Sequence, residues 1–209
     1  MRTPALIFDF GNVVAHFDYR KAAERVGRPL GMSGEALLER VRKAGFIPML
    51  QQFESGRMTA EAFGKEFCAL VGLKLTHQEF VEAWSDIFWL NDSVADLIAD
   101  LKGQGYTLVL GSNTNDLHAA QFRRQFAEPL AHFDRLVLSH EVGHIKPSAA
   151  FYLACAEAAG AAPGDCVFID DLPENVEGAR FAGLIGLHYR DTPTLRAELG
   201  QLGVEVVGS

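Results

Sequence analysis

The sequence predicts an α/β fold: a doubly wound, mostly parallel sheet of five or more strands, interrupted by an inserted α-helical domain. Five short apolar runs, each followed by polar residues, are typical of strands buried on both faces of a parallel sheet. Helical patterns alternate with these runs, which favours right-handed βαβ crossovers. About 95 residues separate the first run from the second, far more than one crossover needs. A domain is therefore inserted there.

The first strand is predicted at 5–8, because this run is continuously apolar and stops at Asp9 and Gly11. Four later runs have the same character: 106–111, 135–139, 166–169 and 185–189. Helical spacing of apolar residues predicts the intervening helices at 94–101, 117–126, 149–159, 176–182 and 194–202. Strand and helix alternate throughout the part of the chain that follows the insertion.

The inserted segment contains several helical stretches and no convincing strand. Its helices are predicted at 19–26, 34–43, 60–71 and 78–88. Ser33, Thr59 and Thr76 stand where N-caps belong, each followed by Glu two or three residues later. We therefore expect an α/β catalytic core formed by 1–15 and 91–209, and a helical cap domain at 16–90.

Composition excludes several classes of protein. Hydrophobic residues make up 48% and charged residues 22% of the 209, which is typical of a folded chain. The net charge is 19 − 27 = −8 with no basic stripe, so we expect no nucleic-acid partner. No apolar run reaches membrane-spanning length and no signal-peptide pattern is present, so we expect a cytoplasmic protein without a membrane partner. The oligomeric state is left open.

Polar residues collect after the predicted strands, at the edge of the sheet where α/β proteins bind ligands. Four strand ends contribute: Asp9 with Gly11 and Asn12, then Ser112-Asn113-Thr114, then Lys146-Pro147, and finally Asp170-Asp171. Because these ends meet at one edge, the sequence predicts a site made from distant parts of the chain.

The residue types in this set are suited to phosphoryl transfer, in which the protein positions the group and stabilises its charge. Carboxylates of Asp9 and Asp171 would hold Mg²⁺, a hard cation that prefers oxygen ligands. The metal and Lys146 would overcome the repulsion between these carboxylates and a phosphate dianion. Asp9 could then attack phosphorus and form an aspartyl-phosphate.

The loop after the second strand is predicted to bind the phosphate. Ser112 and the backbone amides of Asn113 and Thr114 lie close to a predicted helix N-terminus, where donors for phosphate oxygens are available. The partner predicted by this set is a small phosphorylated metabolite.

Four segments of the chain resemble the ordered motifs of the haloacid dehalogenase superfamily. They are Phe8-Asp9-Phe10-Gly11-Asn12-Val13-Val14, Leu110-Gly111-Ser112-Asn113-Thr114, Ile145-Lys146-Pro147 and Phe168-Ile169-Asp170-Asp171. The helical insertion resembles the small α-helical cap of that superfamily, whose core is Rossmann-like. The motif details are similar to a branch of sugar-phosphate phosphatases that includes α-glucose-1-phosphate phosphatase.

This resemblance implies roles for the metal-binding residues. Asp9 is the nucleophile and a metal ligand, and the carbonyl of Gly11 completes the contacts of that loop with the metal. Asp171 matches the direct metal ligand of the fourth motif, whereas Asp170 holds metal-bound water. Asn175 matches a supporting position. By the same resemblance, the phosphate is held by Ser112 and Lys146.

The chain departs from the superfamily pattern at Gly11, where most of its phosphatases carry a second aspartate as general acid and base. Protonation of the leaving group is therefore unassigned. Asp18 and His16, at the entrance to the cap, could serve, but Asp18 is expected to be the N-cap of the helix at 19–26. A glucose-1-phosphate leaving group is more acidic than an ordinary alcohol, so its departure depends less on protonation.

Substrate specificity is expected to reside in the cap, because the phosphate site uses only core residues. The turn at 53–56 and the stretch at 46–49 are candidates for the substrate-facing edge, and Glu54 could accept hydrogen bonds from sugar hydroxyls. The alternatives are a 2-haloacid dehalogenase, in which Asp9 would attack carbon without a metal, a phosphomutase, and a non-catalytic phosphometabolite sensor. The Asp170-Asp171 pair argues against the dehalogenase, and Gly11 argues against the mutase.

Overall fold

The computed structural model describes residues 3–206, and a sheet of five parallel strands lies at its centre. The strands of the chain are β1 (Ala5–Phe8), β2 (Ala15–Phe17), β3 (Phe88–Leu90), β4 (Leu108–Ser112), β5 (Arg135–Leu138), β6 (Cys166–Asp170) and β7 (Ile185–His188). The central sheet has the order β5-β4-β1-β6-β7. The predicted five-stranded, doubly wound sheet is thus confirmed.

Strand β1 occupies the middle of the sheet, and its residues alternate between the two faces. Ile7 pairs with Val109 of β4 on one side and with Phe168 of β6 on the other. Leu6 and Phe8 point to the opposite face from Ile7, as the two-residue period of a strand requires. From β1 the chain adds β4 and β5 on one side of the sheet and then β6 and β7 on the other. Strand order therefore reverses beside β1, which is where ligands bind in such sheets.

Helices cover both faces of the sheet. Those of the core are α6 (Asp92–Gly103), α7 (Asp116–Gln125), α8 (Ala127–Leu130), α9 (Ser139–Val142), α10 (Ala149–Ala159), α11 (Pro173–Phe181) and α12 (Thr192–Gln201). Helices α10 and α11 pack on the face that carries Ile7, with Phe151 fully buried between helix and sheet. Among residues 3–206 no helix combines the length and apolar character needed to cross a membrane.

The insertion is mainly helical, as predicted. Its helices are α1 (Tyr19–Gly27), α2 (Gly34–Lys43), α3 (Phe46–Glu54), α4 (Ala60–Val71) and α5 (His77–Ser85). The side chains of Ser33, Thr59 and Thr76 cap α2, α4 and α5. Thr76 forms a full capping box with Glu79.

Two features of the insertion differ from the prediction. The helix expected at 78–88 ends at Ser85, and Phe88 belongs to β3. Helix α3 was not predicted, because it has no capping side chain before it and carries Pro48 in its first turn. It begins after Gly45, whose φ of 87° requires a residue without a side chain. The suggested turn at 53–56 begins in the last turn of α3 and is closed by Gly56 N, which donates to Phe53 O at 3.1 Å.

A two-stranded antiparallel ribbon connects the insertion to the core. His16 of β2 pairs with Trp89 of β3, so the expectation that the insertion contains no strand was wrong. Three-residue strands carry too little alternation to be recognised in a sequence. The predicted junctions at 15/16 and 90/91 fall on this ribbon. Asn91 anchors it, since its side chain donates to Val13 O and to Tyr189 Oη, both at 2.9 Å.

Candidate active site

A cavity of about 250 Å³ opens at the carboxyl ends of β1, β4 and β6, between the sheet and the insertion. It brings together most of the residues singled out in the sequence: Asp9, Gly11, Glu54, Ser112, Asn113, Thr114, Lys146, Asp171 and Asn175. Asp170 is fully buried beneath the cavity lining, where its carboxylate binds Lys146. The predicted convergence of four strand ends is therefore observed.

Lys146 is the electrostatic centre of this site. Its Nζ lies 2.6 Å from Asp9 Oδ1 and 2.7 Å from Asp170 Oδ2, and its side chain is 1% exposed. Burial would lower the pKa of Lys146, but the Asp9 and Asp170 charges outweigh it and raise that pKa. Burial raises the pKa of Asp9 to about 7, and the Asp170 charge adds to the rise while Lys146 opposes it. One ammonium thus only partly compensates the surrounding carboxylates.

Asp170 uses both of its oxygens within the protein. Oδ1 accepts from Leu172 N at 2.9 Å and from Asn175 Nδ2 at 3.0 Å, and Oδ2 accepts from Lys146 Nζ. The neighbouring Asp171 is half-buried and accepts one side-chain bond, from Asn12 Nδ2 at 3.1 Å. Asp171 is therefore the more available of the two carboxylates for a ligand in the cavity.

The carboxylates of Asp9, Asp170 and Asp171 could hold a metal ion. One oxygen from each lies within 4.8 Å of those from the other two. Burial raises the pKa of Asp171 as well as that of Asp9, and the charge of Asp170 adds to both rises. An all-oxygen donor set with excess negative charge fits a hard divalent cation.

Asn12 was placed at the site by the sequence but given no role, and the structure shows that its side chain binds Asp171. It is the only non-glycine residue between 3 and 206 with a positive φ, at 56°, a conformation that Asn tolerates better than most side chains. This turn carries the chain from Asp9 back toward β2 and places the Asn12 amide beside Asp171. The Gly11-Asn12 pair in the sequence indicates a turn, but it does not indicate the contact between Asn12 and Asp171.

The loop after β4 is tied to the loop that carries Lys146. Asn113 Oδ1 accepts from Lys146 N at 2.8 Å, and Asn113 Nδ2 donates to Lys146 O at 3.2 Å. The amide of Thr114 donates to Ser139 Oγ at 2.9 Å, so this amide is used inside the protein rather than left for a phosphate. Ser112 is buried at the base of the cavity.

Glu54, at the end of α3, is the residue of the insertion that brings a carboxylate to the cavity. Its backbone carbonyl accepts from Ser139 Oγ at 2.6 Å, which fastens the turn to the core. Gly56 completes this contact, because a Cβ there would lie 2.2 Å from His140 O. Burial raises the pKa of Glu54 to about 7, although the charge of Lys146 opposes the rise.

His118 of α7 forms part of the cavity wall and was missed by the sequence reasoning. Its Nδ1 lies 3.1 Å from Asn115 Nδ2, its Nε2 lies 3.4 Å from Trp84 O, and its ring stacks on Trp84. Burial lowers the pKa of His118 to about 4, so the ring is neutral near pH 7. Asn115 is the N-cap of α7, and His118 is the third residue of that helix. This spacing indicates a helix start rather than a functional site, so no pattern in the sequence indicated His118.

The two residues considered as substitutes for the missing aspartate do not reach the cavity lining. Asp18 caps α1 and binds the guanidinium of Arg20, which together lower the pKa of Asp18. His16 packs against Trp89 and lines a second depression together with Arg190. This depression and the cavity share Asn12 and Asp171 in their walls.

Two phosphatases are similar to this chain over most of its length. The chain is 29% identical to D-ribitol-5-phosphate phosphatase of Bacteroides thetaiotaomicron over 93% of its length and 95% of the relative. It is 25% identical to a phosphorylated carbohydrates phosphatase of Thermotoga maritima over 86% of its length and 82% of the relative.

Solved structures share the fold. A HAD family enzyme of Bacteroides thetaiotaomicron, crystallised with magnesium and inorganic phosphate, superposes with a TM-score of 0.77 at 24% identity, covering 93% of this chain and 99% of that one. Residues 3–183 match the family of haloacid dehalogenase-like hydrolases. The predicted membership is confirmed: the chain belongs to the haloacid dehalogenase-like hydrolases.

Proposed function

We propose that this hydrolase is a magnesium-dependent phosphatase that releases phosphate from a small phosphorylated metabolite through an aspartyl-phosphate on Asp9. The observation that carries the proposal is the buried Lys146 ammonium, held between Asp9 and Asp170 beside the unpaired charge of Asp171. Such a site attracts a divalent cation and, once the cation is bound, a phosphate group.

The proposed metal ligands are Asp9, Asp171 and the carbonyl of Gly11, with Asp170 acting through a water molecule. When bound, Mg²⁺ would neutralise the carboxylates and stabilise charge on the phosphoryl oxygens. Both direct carboxylates face the cavity, whereas the oxygens of Asp170 are already bonded to Lys146, Leu172 N and Asn175.

The remaining groups position the phosphate. Lys146 and the Ser112 hydroxyl would bind its oxygens, and the amide of Asn113 would assist. Phe10 N donates to Asp9 Oδ1 at 2.7 Å and Lys146 binds the same oxygen, so Oδ2 of Asp9 is left as the attacking atom. Attack by this oxygen on phosphorus breaks the bond to the leaving group, and water then cleaves the aspartyl-phosphate.

We further propose a sugar or polyol phosphate as the substrate. Two relatives that span most of this chain are named for ribitol 5-phosphate and for phosphorylated carbohydrates. A cavity of about 250 Å³ accepts a leaving group of that size. The α-glucose-1-phosphate branch stays a prediction.

Phosphate release from a panel of phosphorylated metabolites, with Mg²⁺ and with EDTA, tests the proposed function. We expect turnover of sugar and polyol phosphates with the metal and none after its removal. Halide release from 2-chloropropionate without a metal would instead support the dehalogenase. Tight binding of a phosphorylated compound without any turnover would support the sensor.

Substitution of Asp171 is expected to affect mainly Mg²⁺ affinity, and substitution of Asp170 mainly stability. Asp171→Asn should lower Mg²⁺ affinity more than Asp170→Asn, for which a loss of about 10- to 100-fold is typical of a group acting through a bound water. Asp170→Asn should cost more stability, because it weakens bonds to Lys146 and Asn175. Calorimetric titration with Mg²⁺ and thermal melting in EDTA measure the two effects. Equal effects of the two variants, or the reversed order in the titration, would contradict the proposed ligand set.

A further inference from the structure

We propose that Glu54, supplied by the insertion, is the general acid that protonates the leaving group and the general base that activates water. This inference rests on the proposed phosphatase function and gives a residue to the role that Gly11 cannot perform. It is carried by the place of Glu54 in the lining of the cavity that Asp9 and Lys146 also line, and by the contacts that fix the turn bearing it.

Position 11 carries no acid, and its surroundings leave little room for one. A Cβ built on Gly11 would lie 2.8 Å from Cε1 of Phe17, so a side chain there would require the ring of Phe17 to move. With glycine at this position, the loop of the nucleophile has no acid there to provide the proton. Asp18 is engaged with Arg20, and His16 faces another depression, as described above.

The other titratable groups in the cavity wall are already engaged or are poor acids. His118 is neutral with both ring nitrogens facing protein partners, and Lys146 binds two carboxylates. Burial raises the pKa of Tyr19 far above neutrality, and the charge of Glu54 adds to the rise. Within residues 3–206 the Glu54 carboxylate receives no hydrogen bond, so it is free to bind the substrate.

The surroundings of Glu54 favour a carboxyl that can hold and release a proton near pH 7. Much of the cavity wall is apolar, formed by Phe10, Phe17, Leu50, Ile87 and Phe88. Burial raises the pKa of Glu54 to about 7, the range in which a general acid works best at neutral pH. Ser139 and Gly56 hold its backbone against α9, so the carboxyl is presented from a fixed turn.

The proposed steps balance as follows. In the first, Asp9 Oδ2 bonds to phosphorus, the bond from phosphorus to the leaving oxygen breaks, and the Glu54 proton moves to that oxygen. The products are an alcohol, the aspartyl-phosphate and the Glu54 carboxylate. In the second, Glu54 takes a proton from water as the water oxygen attacks phosphorus and the Asp9 bond breaks. Inorganic phosphate leaves, and Glu54 is again protonated.

The test compares Glu54→Gln with wild type on two substrates, p-nitrophenyl phosphate and an alkyl phosphate such as glycerol phosphate. Nitrophenolate leaves without a proton, whereas an alkoxide needs one. For the variant we expect kcat/KM to fall by about 10²- to 10⁴-fold on the alkyl phosphate and to change little on p-nitrophenyl phosphate. Glu66→Gln, an exposed Glu on α4 outside the cavity, is the matched control and should behave as wild type.

The second step gives an independent readout. Because water would lack its base, the variant should release one equivalent of nitrophenol per active site in a rapid burst and then turn over slowly. A residue that merely binds sugar hydroxyls would raise KM for the sugar phosphate without producing a burst.

The pH profile provides a third measurement. Since Glu54 must be protonated for the first step, kcat/KM of wild type on the alkyl phosphate should fall as pH rises through about 7. This alkaline limb should vanish in Glu54→Gln. Asp9 and Asp171 are required as carboxylates, so their protonation would lower kcat/KM on the acid side of the profile and leave the alkaline limb unaffected. The pKa values of His118 and His140 are lowered and that of Lys146 is raised, which removes them from this range. Arg57 lies beside the turn and donates to Ser55 Oγ at 2.9 Å.

The outcomes separate the two proposals. Equal losses of kcat/KM on both substrates, or an unchanged alkaline limb, would overturn the role of Glu54 while the phosphatase function stands. Failure of wild type to hydrolyse either ester with Mg²⁺ would overturn the proposed function itself.

Discussion

Replacing Asp9 by Asn is expected to reduce phosphatase turnover at least about a thousandfold, because a carboxamide has the shape of a carboxylate but is a very poor nucleophile. The fold should be retained. Burial and the neighbouring Asp170 charge disfavour the ionised form of Asp9, so a neutral side chain at this position relieves repulsion. Lys146 keeps its bond of 2.7 Å to Asp170.

The measurement combines steady-state kinetics with mass spectrometry after rapid acid quench. Wild type should carry a phosphoryl group on the peptide that contains Asp9, and the variant should not. Asp96→Asn, an exposed aspartate on α6, serves as the control. Activity above a few per cent in pure Asp9→Asn, or a trapped phosphoryl group on another residue, would remove Asp9 from this role.

The sequence predicted the fold and the convergence of the site for a clear physical reason. Parallel strands buried on both faces need continuous apolar runs, and their carboxyl ends must meet at one edge of the sheet. Asp9 and Asp171 follow β1 and β6 directly and Ser112 ends β4, so the backbone sets their positions, whereas Lys146 comes after β5 and the short helix α9. Their convergence did not depend on any side-chain detail.

The features that were missed depend on tertiary contacts. Helix α3 begins at a glycine without a capping side chain, and the ribbon of β2 and β3 is too short to show a period. The reach of Asn12 to Asp171 crosses 159 positions of sequence. The packing of Phe17 against Gly11 is equally invisible in a sequence, although it restricts the space for a side chain on the nucleophile loop.

Replacing Lys146 by Met is expected to have the second large effect, on both stability and activity. Lys146 is buried between Asp9 and Asp170, and its removal leaves two buried carboxylates without their cation. Breaking a buried ion pair in this way costs about 3–5 kcal/mol in the free energy of unfolding. The loss of a charged phosphate ligand should lower kcat/KM by about 10²- to 10³-fold, the range seen when one preorganised donor is removed.

Magnesium distinguishes this electrostatic explanation from a simple packing defect. Without Lys146 the carboxylate cluster is more negative, so saturating Mg²⁺ should raise the Tm of Lys146→Met more than that of wild type. Lys102→Met is the matched control: Lys102 lies 2.5 Å from Asp134 on the surface, where an ion pair contributes only about 0–1 kcal/mol. If the two Lys→Met variants melt alike in EDTA, or if Mg²⁺ stabilises Lys146→Met no more than wild type, then the ammonium does not hold the charge balance of this site.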